Sequence, residues 1–360
     1  MTDKCVGVII APGALGNVTE TFKEKLPNQL SEGVSDTVDW KVEVVTDPLT
    51  GFAESKEEIY EKTLEYFEDN GWNYVITVTD LPVYEKEKII AIDVNKTRKA
   101  AIISTPSYGF PPVKKKVERS IISIVKMMDG IYDETRHGRL FKNFFPTSRL
   151  QYTTDNPDSS DSRALYYLNN NTRGTLRLMG GMAWTNNPFN MMRSLSGVIA
   201  IAFATGSFGL IFSTMWNLSY HFPLWRLAAV SVLAVFGMVI WIIVSHSLWE
   251  SPGSGRSKHI VRLYNSTTVL TLIISLFFYY TVLYLMFLGA GVILLPSTYV
   301  ASTIGVDNIG PGFYLELAWF AASLSTVAGA IGAGIQDRDL IRESTYGYRQ
   351  RFRYERSFKE

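Results

Sequence analysis

The 360 residues carry 35 Lys+Arg against 34 Asp+Glu, a net of +1, so overall charge gives no sign of a nucleic-acid partner. That balance hides a division: residues 1–130 hold 21 acidic against 16 basic residues (net −5), and the remaining 230 hold 13 against 19 (net +6). The single Cys5 excludes an internal disulfide framework.

The chain opens with MTDKCVGVIIAPGALG, whose short apolar run lacks the basic start and longer core of a signal peptide. The first domain is therefore expected to stay on the side where it is made. Cys5–Pro12 reads as a strand ending in Gly13-Ala14-Leu15-Gly16. A helix follows to about Gly33, with Asn17 and Glu20 spaced as a capping box. Asp39–Val45 alternates as a strand and stops at Thr46-Asp47-Pro48-Leu49-Thr50-Gly51. Ser55 and Glu58 form a second capping box, opening a helix that ends at Gly71. Tyr74–Thr79 is a third strand. Ile89–Val94 and Ala100–Ser104 are expected to pair with it and with each other, through turns at Tyr84–Lys88 and Asn95–Arg98. Pro112–Asp129 reads as a helix with Ile121, Ile122, Val125 and Met128 on one face. The order β-α-β-α-β-β-β-α predicts an α+β or α/β domain over residues 1–135, a mixed sheet with flanking helices.

Four strand ends are alike in chemistry: Ala11-Pro12-Gly13, Thr46-Asp47-Pro48, Thr79-Asp80-Leu81-Pro82 and Ser104-Thr105-Pro106. Parallel strands gather their carboxyl ends at one edge, where open α/β sheets bind ligands. That makes Gly13, Gly16, Asp47, Thr79, Asp80 and Thr105 the candidate ligand-binding residues, although the same residue types also terminate strands on their own. Gly13-x-x-Gly16 lacks the third glycine of a dinucleotide fingerprint, and no P-loop lysine follows, so no cofactor is expected.

Residues 136–193 read as a linker. Tyr152–Asp161 is polar and turn-rich, Arg163–Asn169 and Thr175–Met182 are expected as short interfacial helices, and Trp184, Phe189 and Arg193 fit interface anchors. Then the solvent changes. Leu195–Met215, Leu227–Leu248 and Ser266–Leu288 are 21, 22 and 23 residues without Lys, Arg, Asp or Glu, and Phe313–Ile335 carries only Glu316. About 20 apolar residues cross a bilayer core, so residues 194–336 predict a four-span α-helical bundle. Gly289–Val306 stays uncharged, but Pro296 and its polar neighbours favour a longer third helix followed by an interfacial or re-entrant piece.

Basic residues concentrate on the cytoplasmic side of spans. The loop Trp249–Asn265 carries Arg256, Lys258 and Arg262, and the tail 337–360 carries seven basic residues, whereas the other two loops have one and none. Both termini are thus expected in the cytoplasm, in a multi-pass plasma-membrane protein. Arginines interleaved with Tyr348, Phe352, Tyr354 and Phe358 suit a tail lying on anionic lipid. Small residues at Ala318, Ala322, Thr326, Ala330 and Gly334, beside Ala321, Ser325, Gly329 and Ala333, permit close helix packing inside the bundle or in a homo-oligomer.

Catalytic patterns are sparse. His137, His221, His246 and His259 have no neighbours at metal-ligand spacing, so no metal is expected, and no nucleophile elbow, H-E-x-x-H or kinase signature occurs. Lys114-Lys115-Lys116 with Arg119 suits a solvated helix start or an anionic-lipid contact better than nucleic acid. The strand order resembles that of archaemetzincin-like metalloproteases. In their zinc helix the ligand positions would fall here on Ser123, Ile124 and Met127, which implies a domain without the metal.

Asp39-Trp40-x-Val42-x-Val44-Val45-x-Asp47-Pro48-Leu49-Thr50-Gly51, Thr79-Asp80-Leu81-Pro82, Arg177-Leu178-Met179-x-Gly181-Met182, Leu317-Ala318-Trp319 and Tyr346-Gly347-Tyr348-Arg349 resemble a family of multi-span membrane proteins of Gram-positive bacteria. The resemblance covers nearly the whole chain and implies no defined activity. A folate-dehydrogenase label borne by some relatives finds no fingerprint here. The leading expectation is a non-enzymatic sensor or adaptor whose cytosolic domain binds a small ligand or protein partner and is coupled to the bundle. The alternatives are a small transporter or channel component using Glu316, and an enzyme acting at the strand-end cleft.

Overall fold

The computed structural model describes residues 2–13, 15, 18–48, 50, 53, 55–86, 88–111, 113–131, 151–154, 163–251 and 258–333. Gly16, Asn17, His137 and the basic tail 337–360 lie outside them. Two compact units are built on Met1–Thr185 and Asn186–Tyr348.

The first unit is an eight-stranded mixed sheet. Its strands are β1 (Thr2–Ile10), β2 (Val38–Thr46), β3 (Tyr74–Thr79), β4 (Val83–Glu85), β5 (Lys88–Asn95), β6 (Ala100–Ser104), β7 (Gln151–Thr154) and β8 (Arg163–Asn169). The order is β2-β1-β3-β6-β5-β8-β7, with β4 paired to β5 off this path. β2, β1, β3 and β6 run parallel, and the pairs among β4, β5, β6, β7 and β8 are antiparallel. Helices α1 (Thr19–Gly33), α2 (Lys56–Asn70) and α3 (Val113–Met128) flank it, and a 3-10 turn (Thr105–Tyr108) follows β6. Alternation along β1 assigns the faces. Val6, Val8 and Ile10 share a core with Phe22, Leu26 and Leu30 of α1 and Val117, Ile121 and Ile124 of α3. Ile9 instead joins Trp72 and the α2 side chains Tyr60, Leu64 and Phe67. A Cβ on Gly7 would fall 1.8 Å from the Trp72 ring, so that indole lies directly on the backbone of β1.

Several expectations change. α1 begins at Thr19 behind Val18, which provides no side-chain cap. The Tyr84–Lys88 turn is partly strand, because Val83–Glu85 forms a hairpin with β5. β5 pairs with β6 and β8 but not with β3, since β6 occupies that edge. Arg163–Asn169 is not an interfacial helix: it is β8, seated in the sheet and flanked by part of the turn-rich segment, Gln151–Thr154. Thr175–Met182 is helical within α4 (Thr172–Thr185). Elsewhere Ser55 accepts from the Glu58 amide at 3.2 Å, and Gly71 closes α2 at φ +62°, as read.

The second unit is helical: α5 (Pro188–Ser194), α6 (Ser196–Ile211), α7 (Ser213–His221), α8 (Leu224–Ser245), α9 (Lys258–Leu294), α10 (Ser297–Ile304) and α11 (Pro311–Ala333). Among the described residues three helices are long and apolar enough to cross a membrane: Leu224–Ser245, Lys258–Leu294 and Pro311–Ile331. These mark a membrane protein. α5 and α6, bent by 56°, reach the same standard only as a pair. α9 has 37 residues and extends about 55 Å, well beyond a 30 Å hydrocarbon core; it runs past Leu288 to Leu294 before Pro296 and the short α10.

Small residues let α11 sit at the centre of this unit. Ala318, Ala321, Ala322, Ser325 and Thr326 are buried within the chain's own bundle. A Cβ on Gly329 would meet Tyr279 Oη at 2.4 Å and Ala202 Cβ at 3.2 Å. Gly329 thus packs against α6 and α9 of the same chain. A polar knot crosses the same core: Trp319 Nε1 donates to Ser231 Oγ (2.6 Å), and Tyr280 Oη and Ser323 Oγ lie 2.7 Å apart. Ser231 and Ser323 hydroxyls, 2.9 Å apart, close it and tie α8, α9 and α11 together.

Candidate functional site

Parallel pairing brings the carboxyl ends of β2, β1, β3 and β6 to one edge. Ile10 is in register with Thr46 on one side and Val78 on the other, so Ala11, Asp47 and Thr79 leave the sheet side by side. Thr79 pairs with Ser104, so Asp80 and Thr105 do the same one strand along. The order β2-β1-β3 reverses direction between β1 and β3, the position at which open α/β sheets leave a crevice.

Hydrogen bonds lace this edge. The Asp47 amide donates to the Ile10 carbonyl (3.2 Å) and the Ala11 amide to the Val78 carbonyl (3.1 Å). Thr50 Oγ1 donates to the Asp47 carbonyl (2.7 Å), Thr79 Oγ1 to the Thr50 carbonyl (2.5 Å), and Ser104 Oγ to the Leu81 carbonyl (2.7 Å). The Asp47 carboxylate accepts from Tyr66 Oη at 2.8 Å. Burial first, and then that bond, push the Tyr66 phenol up to about 12. Asp47, Thr79, Asp80 and Thr105 are all buried. Thr50 is buried against this edge through its bonds with Asp47 and Thr79, while Leu15 and Val18 are buried in the core shared with α1 and α3. Thr105 Oγ1 is the one hydroxyl here that is enclosed without a hydrogen-bond partner among the described residues. Gly13 turns the chain after β1 at φ +75°, with open space where a Cβ would stand.

Five of the six candidate residues in this domain therefore share one edge, and Gly16 lies outside the described residues. Their roles are unequal: Asp47 and Thr79 are engaged in closing the edge, whereas Thr105 keeps an unsatisfied hydroxyl next to the fully buried Asp80. Such an edge offers carboxylate acceptors and hydroxyls, which suits recognition of a polar small molecule more than covalent chemistry. Glu316 stands apart, half-buried in the second turn of α11. Ser123, Ile124 and Met127, at the zinc-ligand spacing, are core residues of α3, with Ser123 Oγ donating back to the Arg119 carbonyl.

Two charged clusters escape sequence reading. On the α2 face, Lys56, Glu85, Asp93 and Arg163 form a part-buried quartet around the buried Asp93. Arg163 holds Asp93 in a fork, with Nε to Oδ1 at 2.7 Å, and reaches Glu85 at 3.4 Å. Lys56 pairs with Glu85 and lies 3.7 Å from Asp93, whose side chain is only 3 % exposed. Opposing burial is outweighed by Lys56, which holds the Glu85 carboxyl below its ordinary range. At the other end of the sheet Lys4 donates to Asp129 (2.6 Å) and to Tyr74 Oη (3.1 Å). The pairings in both clusters join residues from 29 to 125 apart in sequence, and no local spacing announces them.

No family model, no curated protein and no solved structure matches this chain.

Proposed function

We propose that this is a multi-pass membrane protein whose N-terminal α/β domain, on the cytoplasmic side, binds a small polar ligand at the β2-β1-β3-β6 edge and acts as a sensor or adaptor for the helical unit. The observation that carries this reading is the convergence of Asp47, Asp80, Thr79 and Thr105 at a parallel-sheet switch point, with a buried, unsatisfied Thr105 hydroxyl. Asp47, Thr79, Asp80 and Thr105 are buried, so a ligand must displace part of this edge to reach them, and a shift between the two states is the source of a signal. The membrane unit is read as four spans, with the bent α5–α6 pair as the first, in the plasma membrane with both termini inside. Its described spans are held together by hydroxyls and an indole, which suits anchoring and signalling.

The test is thermal stability of the full chain in detergent against nucleotides, sugar phosphates, amino acids and divalent cations. A ligand present at 100 times its Kd stabilises the folded state by about 2.7 kcal/mol, a rise of several degrees. The reading predicts at least one such shift, abolished by Asp80→Asn and by Thr105→Val. A flat response to every compound contradicts it, as does a shift that both variants retain.

A further inference from the structure

A second surface of the first unit is built from the turn before α3 and one face of α4. Arg177 donates from Nε to the Ser107 carbonyl (3.0 Å) and from Nη2 to the Tyr108 carbonyl (3.1 Å). Lys116 Nζ reaches the carbonyls of Phe110 (2.9 Å) and Tyr108 (3.3 Å). Gly109, at φ +70°, allows the turn that aims these carbonyls at the two cations. Burial pulls the Arg177 guanidinium down to about 10, still charged at neutral pH. α4 itself comes in close, because a Cβ on Gly181 would fall 2.0 Å from the Pro106 carbonyl oxygen.

What this clamp displays is unusual for a water-facing surface. Phe110 lies against Gly180, where a Cβ would be 2.8 Å from its ring, yet the side chain is 55 % exposed. Leu176, a turn earlier on α4, is 60 % exposed. Lys114, Lys115 and Arg119 of α3 and Arg173 of α4 are exposed as well. α4 has no acidic residue, and Glu118 is the one acid within α3. Three lysines occupy the first turn of α3, at the positive end of the helix dipole, where cations are disfavoured unless an anion answers them. Exposed aromatic and aliphatic side chains on elements whose other exposed residues include Lys and Arg are the composition of a surface that lies on anionic lipid. Chain connectivity agrees: α4 ends at Thr185, and the bent helix pair that reads as a span starts at Pro188.

We propose that this face rests on an anionic bilayer surface. Lys114, Lys115, Arg119 and Arg173 meet lipid phosphates, Phe110 and Leu176 enter the headgroup boundary, and Arg177 and Lys116 hold the turn in shape. The turn beneath this docking surface begins at Thr105 of the strand-end edge, but the residues that meet lipid are not those proposed to bind the ligand, and the test below needs no ligand.

The experiment uses the full chain carrying Cys5→Ser and Leu176→Cys, labelled with an environment-sensitive fluorophore. It is reconstituted in nanodiscs of phosphatidylcholine with or without phosphatidylglycerol, and quenched by doxyl-labelled lipid. Glu65→Cys, on the exposed side of α2, is the control position. With phosphatidylglycerol present, the label at 176 is expected to be quenched about twofold more than the label at 65, and the difference to shrink in phosphatidylcholine alone. Charge reversal at Lys114, Lys115 and Arg173, each to Glu, is expected to bring 176 to the control level. Should that variant fail to fold, Lys114→Gln with Lys115→Gln supplies a milder one, expected to show a partial loss. Equal quenching at 176 and 65 in both lipids overturns the proposal. So does strong quenching at 176 that ignores lipid charge and survives the substitutions.

Discussion

Arg163 and Asp93 show how much one side chain decides in the soluble unit. Asp93 lies on β5 with almost no contact with water, and its charge is tolerable because Arg163 grips it from β8 while Lys56 approaches from α2. Taking away Arg163 leaves this buried carboxylate with Lys56 alone at 3.7 Å, and breaking a buried pair costs about 3–5 kcal/mol when nothing else answers the charge. Arg163→Ala is therefore expected to destabilise the unit by about 3 kcal/mol and to lower the melting temperature by roughly 6 °C or more. Lys41, whose pairing with Asp3 lies 3.9 Å apart between exposed side chains, should change melting little when replaced by Ala. Thermal melting of the two variants side by side checks this, and equal shifts would count against the account of Asp93. At the strand ends the chemistry was legible in advance, because Asp47, Asp80 and Thr105 sit in turn-rich stops after apolar runs. The partner of Asp47 was not: nothing in the local sequence ties Tyr66 to it, and its Oη becomes a donor only once α2 packs on the sheet.

At the scale of elements, legibility followed burial pattern. β3 and β6 are short, wholly buried runs between turn signals, and their bounds came out as read. β8 did not, for a physical reason. Ala164, Tyr166 and Leu168 face one side and Leu165 and Tyr167 the other, so an interior strand shows no polar alternation, and its partner β5 lies about 70 residues earlier. Without that pairing ArgAlaLeuTyrTyrLeuAsn reads equally well as a helix. α4 was recognised as helical, but not its close seat on the 3-10 turn, which depends on Gly181. A methyl group there would strike a backbone carbonyl that cannot rotate away. Gly181→Ala should cost about 1–3 kcal/mol and loosen the clamp around Ser107–Phe110. Hydrogen exchange would report it as faster amide exchange over residues 105–110 and α4 alone. Unchanged exchange there would contradict the close packing.

For the whole molecule, the change of solvent near residue 195 was the clearest message, since charge-free runs of 21 to 23 residues have few uses other than crossing lipid. The bounds of the runs were less legible. The first apolar run is divided between α6 and α7, because Phe212 leaves helical geometry at φ −86° and ψ 123°, and just before the run α5 meets α6 at a 56° bend. The third run is embedded in a helix far longer than a bilayer is thick. Small residues announced that α11 packs closely, and burial assigns that contact to α6, α8 and α9 of the same chain. Sidedness is the premise beneath the proposed function: a ligand-binding sheet in the cytoplasm, carried by helices that cross the plasma membrane. Cysteine accessibility in intact cells tests it most directly, with Cys5→Ser as background and single cysteines at Lys41 and Asp307. The account predicts that a membrane-impermeant maleimide labels position 307 in intact cells and labels position 41 only after the membrane is opened. Labelling of position 41 in intact cells, with 307 protected, would contradict it.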